Sequence, residues 1–149
     1  TLSNAVIGNF PDSYFVAADN RGPLSWDVPH RVVSWAFLPT FRKAWSVSAL
    51  LEYRTGFPYS AADSAGFVVG SANSYRFPDY FDLTIGLERR THLFGQVWAL
   101  RGSLSNVTGH ANPTSVNGTV ESPEFGTFYG SPGRAITGRI RWLGRHRKP

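Results

Sequence analysis

Apolar and polar residues alternate with a period of two in five separate stretches, and the connections between those stretches are by turns short and long. That combination points to an all-β chain of antiparallel, up-and-down strands. The clearest stretch is 45–54, where Trp45, Val47, Ala49, Leu51 and Tyr53 share one face and Ser46, Ser48, Leu50, Glu52 and Arg54 the other. In 80–89, Phe81, Leu83, Ile85 and Leu87 oppose Tyr80, Asp82, Thr84, Gly86 and Glu88. A weaker alternation over 30–38 sets Val33, Trp35 and Phe37 against Ser34 and Ala36, with Val32 and Leu38 blurring the contrast. Over 94–106, Trp98, Leu100 and Leu104 oppose Ala99, Arg101 and Ser103; over 134–143, Ile136, Ile140 and Trp142 oppose Thr137, Arg139 and Arg141.

The connections sharpen this. Short turns are expected at 39–43 and near 90–92, whereas 55–79 and 107–133 are far longer than the ~12–15 residues beyond which loops without structure of their own become uncommon. A third loop-like stretch, 8–29, precedes the first strand. Short turns at one end and long loops at the other are the pattern of an outer-membrane barrel. Alternation alone would equally suit a half-buried sheet in a soluble β-sandwich.

Aromatic residues favour the barrel. Trp45 and Tyr53 bracket an aliphatic run on one face, and Phe37, expected across the hairpin from Trp45, joins them with Trp98 and Trp142 as a lipid-facing girdle. Ser48, Glu52, Arg54, Asp82, Glu88, Arg101 and Arg139 form the opposite, lumen-facing set. Charges of both signs can pair in a wet lumen, while a dry core would reject them.

Composition sets the outer limits. The 149 residues suit one domain, and 42% hydrophobic with 17% charged residues describes a folded chain. There is no Met and the sequence opens on Thr1, so it is expected to be a piece of a longer chain. No cysteine is present, which removes disulfides, thiolate metal sites and cysteine nucleophiles together. No apolar run approaches the ~20 residues of a spanning helix, a result silent on strands. The net charge of +5 comes from 15 Lys and Arg against 10 Asp and Glu. Arg139, Arg141, Arg145, Arg147 and Lys148 supply the excess, so the body is balanced and the tail is basic. Without interleaved aromatics the tail reads as solvated, and no nucleic-acid partner is expected.

Particular residues carry a resemblance. Asp27-Val28-Pro29-His30-Arg31 opens a strand, Arg54-Thr55-Gly56-Phe57-Pro58-Tyr59 closes the next, and Arg76-Phe77-Pro78-Asp79-Tyr80 leads into Asp82-Leu83. Asn106-Val107-Thr108-Gly109-His110-Ala111-Asn112-Pro113, Ser122-Pro123-Glu124-Phe125-Gly126 and Gly133-Arg134 follow in order. From about Asp27 to Trp142 the chain resembles the C-terminal end of the barrel of TonB-dependent outer-membrane receptors, in the group with an N-terminal carboxypeptidase-regulatory-like domain. The resemblance implies the last five strands of a barrel of about 22, located in a bacterial outer membrane and taking up a siderophore, glycan or peptide. Its implied partners are outer-membrane lipid, the barrel-assembly machinery, an extracellular solute and, through parts upstream of this segment, the TonB complex. The chain departs from the family in lacking an aromatic within 106–109 and in continuing past Trp142 instead of ending on an aromatic residue.

No catalytic residue, metal or cofactor is expected. His30, His92, His110 and His146 are widely spaced, without a ligand pattern. Ala62-Asp63-Ser64-Ala65-Gly66 outlines a nucleophile elbow but lacks its first glycine and its strand-to-helix setting. Asp82 and Glu88 are roughly 20 Å apart along one strand, too far for paired acid–base work. Gly126, Gly130 and Gly133 read as turns. The loop aromatics Phe57, Tyr59, Tyr75, Phe77, Phe125, Phe128 and Tyr129 are the candidates for contact with an external ligand. A soluble, secreted β-sandwich binding carbohydrate through these aromatics is the alternative reading.

Overall fold

In a computed structural model, residues 22–40 and 44–145 are described. The loop expected at 8–29 therefore lies largely outside them, as do most of the turn at 39–43, His146 and the end of the basic tail. Among the described residues there is no helix. Five long strands form one antiparallel sheet in the order β1 (Arg31–Pro39), β2 (Trp45–Arg54), β5 (Tyr80–Leu93), β6 (Gln96–Ser105) and β9 (Ala135–Arg145). Two short pairs, β3 (Pro58–Tyr59) with β4 (Tyr75–Arg76) and β7 (Ser115–Val116) with β8 (Phe128–Tyr129), occupy the long connections. The long strands are neighbours in sequence order, so the sheet is an open up-and-down meander with β1 and β9 at its edges. Both long connections leave and re-enter at one end of the sheet, and both short turns lie at the other.

The expected strands are all present, with altered bounds. The turn expected near 90–92 is instead Phe94–Gly95, because β5 runs on to Leu93, which pairs with Gln96. A two-residue hairpin of this kind needs both central residues at positive φ. Gly95 adopts 71° and Phe94, unusually for its type, 53°.

Register assigns the faces. Trp45, Val47, Ala49, Leu51 and Tyr53 stand directly opposite Arg89, Leu87, Ile85, Leu83 and Phe81. The same face continues through Trp98, Leu100 and Leu104 on β6 into Trp142, Ile140 and Ile136 on β9. On β1 the expectation fails. Phe37 pairs with Ser48 and Trp35 with Leu50, so Phe37 lies on the polar face, opposite to Trp45. With period two, a one-residue difference in pairing reverses every side chain of a strand. Val32, Ser34, Ala36 and Leu38 take the positions that Val33, Trp35 and Phe37 were expected to hold.

Burial is sparse. Among those described, Pro58, Ala61 and Ala99, with Gly56 and Gly86, are the buried residues without a polar side chain, and Asn106 and Asn112 the buried polar ones. Ile136 is 85% exposed and Trp142 59%, on the face where a soluble sheet would place its core.

The chain divides into two compact units. One holds Val28–Gly56, Pro78–Ser115 and the residues from Phe128 onward, and includes the large sheet. The other comprises Phe57–Phe77 and Val116–Thr127 with the described residues up to Asp27. The long connections are thus not the unstructured stretches that their Gly, Pro and Ser content suggested.

Candidate functional site

The polar face of the sheet holds the expected lumen-type set. Arg31 pairs with Glu52 at 3.0 Å, and Arg141 with Glu88 at 3.2 Å, with Arg90 at 3.8 Å from the same carboxylate. Thr84 Oγ1 donates to Asp82 Oδ1 at 2.9 Å. Arg101 Nη2 donates to Ser48 Oγ at 3.0 Å, crossing the intervening strand β5 at Gly86. A Cβ at Gly86 would stand 2.7 Å from Ser48 Oγ and 3.0 Å from Arg101 Nη2, so only glycine leaves the passage open. Arg54 lies 4.5 Å from the centroid of Tyr80. Ser48, Glu52, Arg54, Asp82, Glu88, Arg101 and Arg139 therefore share one face, and acids and bases are interspersed across four strands.

The other face is layered along the strands. Trp45, Trp98 and Trp142 cluster towards the short-turn end, where Trp98 pairs with Trp142 and Trp45 with Arg89. The indole Nε1 of Trp142 donates to Gln96 Oε1 at 3.0 Å, giving its polar tip a partner. At the loop end of the same face Tyr53 stands opposite Phe81, and the Tyr53 hydroxyl donates to Asp79 Oδ2 at 2.8 Å. Between these aromatic rows every side chain of β2 and β5 on this face is aliphatic: Val47, Ala49 and Leu51 against Leu87, Ile85 and Leu83. Eight residue steps separate Trp45 from Tyr53, about 26 Å along the strand and roughly 20 Å across a layer at a tilt of ~40°.

The loop end is fixed by asparagines. Asn112, buried, accepts from the Phe81 amide at 3.0 Å through Oδ1 and donates to the Phe81 carbonyl at 2.9 Å through Nδ2. Its side chain thus mimics a strand partner for β5. His110 Nδ1 lies 3.0 Å from the same Oδ1, and its ring meets Phe81 edge-on at 6.0 Å. Asn106 takes a left-handed conformation, φ 49°, where Asn is among the tolerated types. Its Nδ2 donates to the carbonyls of His110 at 2.9 Å and Pro132 at 3.4 Å. The motif from Asn106 to Pro113 is thereby a strand exit that folds back on the sheet. Sequence reading located this motif but missed the role of its two asparagines, whose only sequence signal is the type Asn beside Gly109 and Pro113.

In the second unit, four of the expected ligand-contact aromatics come together. Tyr59 stacks on Tyr75 with centroids 5.5 Å apart and meets Phe77 edge-on at 5.4 Å, while Phe125 meets Tyr75 edge-on at 5.6 Å. The ladder Pro58–Arg76 and Tyr59–Tyr75, together with the bond from the Phe77 amide to the Phe57 carbonyl at 2.9 Å, sets this spacing. Burial, and secondarily the neighbouring Tyr75 phenol, push the Tyr59 hydroxyl above its ordinary value of 10.0. Arg76 forms an ion pair with Asp27 beside the cluster. Phe128 and Tyr129 lie on β8 in the sheet-bearing unit.

The two long connections interlock within this unit. Ala62 bridges Val68 in antiparallel and Thr119 in parallel fashion; its amide donates to Gly118 at 2.8 Å and its carbonyl accepts from Val120 at 2.9 Å. Asp63 Oδ1 accepts from the amides of Ala65 and Phe67 at 3.0 and 2.8 Å, and Gly66 turns at φ 87°. The stretch 62–66 is therefore an Asx-type turn. No group of three or more metal-ligating side chains converges among the described residues.

Comparison with known protein families, with curated proteins and with solved structures finds no match for this chain. The geometry of the chain itself is what bears on function.

Proposed function

We propose that the chain is the C-terminal wall segment of a TonB-dependent outer-membrane receptor, contributing five consecutive strands, their lumen lining and two external loops to active uptake of a scarce solute. One observation carries the reading: an aliphatic band about 20 Å deep, bounded by a tryptophan row at the short-turn end and by Tyr53 and Phe81 at the loop end. Transmembrane barrels show an outward apolar band ~25 Å tall between aromatic girdles, with a polar interior on the alternate residues. The ion pairs of Glu52 and Glu88 and the arginines 101, 139 and 141 suit such an interior. The stacked aromatics Tyr59, Tyr75, Phe77 and Phe125 are the ligand-contact surface in this reading. A β-sandwich would instead bury Ile136, Ile140 and Trp142 against a second sheet, and these residues are exposed.

Ile85 tests the reading. It sits in the middle row of the band, opposite Ala49 and Leu104, while its neighbour Thr84 faces the polar side beside Asp82. An arginine at the bilayer midplane of a barrel costs ~2–4 kcal/mol, and much less on the lumen side. Ile85→Arg in the full-length receptor should therefore reduce the heat-modifiable, folded band on electrophoresis of outer membranes, while Thr84→Arg should leave it near wild type. Equal effects of the two substitutions would remove the facing assignment and the reading with it.

A further inference from the structure

The apolar face carries a notch that the wall reading does not use. Its residues fall in cross-strand rows. Arg89, Leu100 and Ile140 form one; Leu87, Gly102 and Gly138 form the next; Ile85, Leu104 and Ile136 form the third. Two glycines paired across β6 and β9 thus open a gap between two rows of branched side chains. Neither is held to glycine by crowding or by backbone, since a Cβ at either position would meet nothing within 4 Å and neither has a positive φ. The two glycines lie in an open depression of about 670 Å³ whose lining also includes Trp45, Leu87, Leu100 and Ile140, with Arg89 at its short-turn side and Arg101 and Arg139 beside the glycines. That volume is within the ~300–1,000 Å³ range of small-molecule sites.

Arg89 decides what fits. It stands on this face opposite Trp45 and beside Leu100; Glu52, Asp82 and Glu88 belong to the other face, and Asp79 lies at the far, loop end against Tyr53. Its guanidinium lies 5.2 Å from the ring centroid of Trp45. A cation on an apolar surface calls for an anion from outside the chain, and a guanidinium matches the fork of a phosphate. The tryptophan row puts Arg89 at headgroup level, with the notch directly deeper along the strands.

We propose that this notch holds one acyl chain of an anionic glycerophospholipid of the leaflet on the short-turn side, with the lipid phosphate on Arg89. The proposal rests on the wall reading above. Bromine on an acyl chain quenches a nearby indole, and Trp45 lines the notch. The full-length receptor would be reconstituted in phosphatidylcholine vesicles containing a minor fraction of acyl-brominated phosphatidylglycerol or, in parallel, acyl-brominated phosphatidylcholine. Subtracting the signal of Trp45→Phe isolates Trp45 from the other tryptophans.

The expected result is Trp45 quenching at least about threefold stronger with brominated phosphatidylglycerol than with brominated phosphatidylcholine, a preference lost in Arg89→Gln and in Gly138→Leu. Gly102→Leu fills the same gap from the other strand should Gly138→Leu fail to assemble. Excess soluble glycerol phosphate should not compete. Equal quenching by the two lipids overturns the proposal and leaves the wall reading standing. A preference lost in Arg89→Gln but kept when the glycines are filled overturns the acyl site, as does competition by glycerol phosphate. Absence of quenching by either lipid overturns the wall reading itself.

Discussion

Asn112 shows how much one side chain can hold at the loop end. It replaces a missing strand partner for Phe81 by both accepting and donating, at 3.0 and 2.9 Å, while itself 4% exposed. Leaving a buried donor and acceptor unpaired costs about 1–3 kcal/mol. Asn112→Ala should therefore speed amide hydrogen exchange at Phe81 by roughly tenfold or more, with Asn112→Asp, which keeps the acceptor and loses the donor, in between. Unchanged exchange at Phe81 in Asn112→Ala would show that the amide is held by something else. Trp45, by contrast, is a poor place to probe the apolar face with a carboxylate. An aspartate there would stand directly opposite Arg89 and find a counterion.

Among the elements, the hairpin of β5 and β6 carries a local conflict. Phe94 sits at φ 53° and is 97% exposed. Positive φ costs roughly 1–2 kcal/mol for residues other than Gly, Asn or Asp, and Asn-Gly is the favoured pair for a two-residue turn with both residues at positive φ. Phe94→Asn should raise the urea midpoint of the folded protein by an amount equivalent to about 1 kcal/mol; a lower midpoint would mean that the ring makes contacts worth more than the strain. This turn also explains one misplacement in the sequence reading. The polar run Arg89-Arg90-Thr91-His92 breaks the alternation and looks like a turn near 90–92, but pairing with β6 continues to Leu93, and Gly95 is the residue that can reverse the chain. The face of β1 was not readable for a related reason. Val32, Val33, Trp35, Phe37 and Leu38 put apolar side chains on both sides, so pattern alone leaves the parity open and pairing with β2 decides it. The faces of β2, β5, β6 and β9 were readable because single polar residues alternate there with large apolar ones.

For the molecule as a whole, the large sheet is unfinished by itself. Among the described residues its outer strands β1 and β9 have a strand partner on one side each, and its apolar face leaves Ile136, Ile140 and Trp142 exposed. Long exposed edges beside apolar surface drive association. Residues 1–149 expressed alone without detergent should elute as large aggregates in size-exclusion chromatography, and a monodisperse monomer would favour the soluble alternative. Sequence periodicity could reveal the large antiparallel sheet because its two faces depend on local alternation. It could not reveal the aromatic cluster of Tyr59, Tyr75, Phe77 and Phe125, whose assembly requires two segments about fifty positions apart to meet.

That meeting happens at Ala62, which is bonded at once to its own connection and to the other. The two long connections are therefore not independent variables. An insertion, deletion or graft in one shifts the strand against which the other is registered, so recognition surfaces on this scaffold would be exchanged in pairs. Selection acting on either connection would leave correlated lengths and compositions in 55–79 and 107–133, while the large sheet could change one rung at a time.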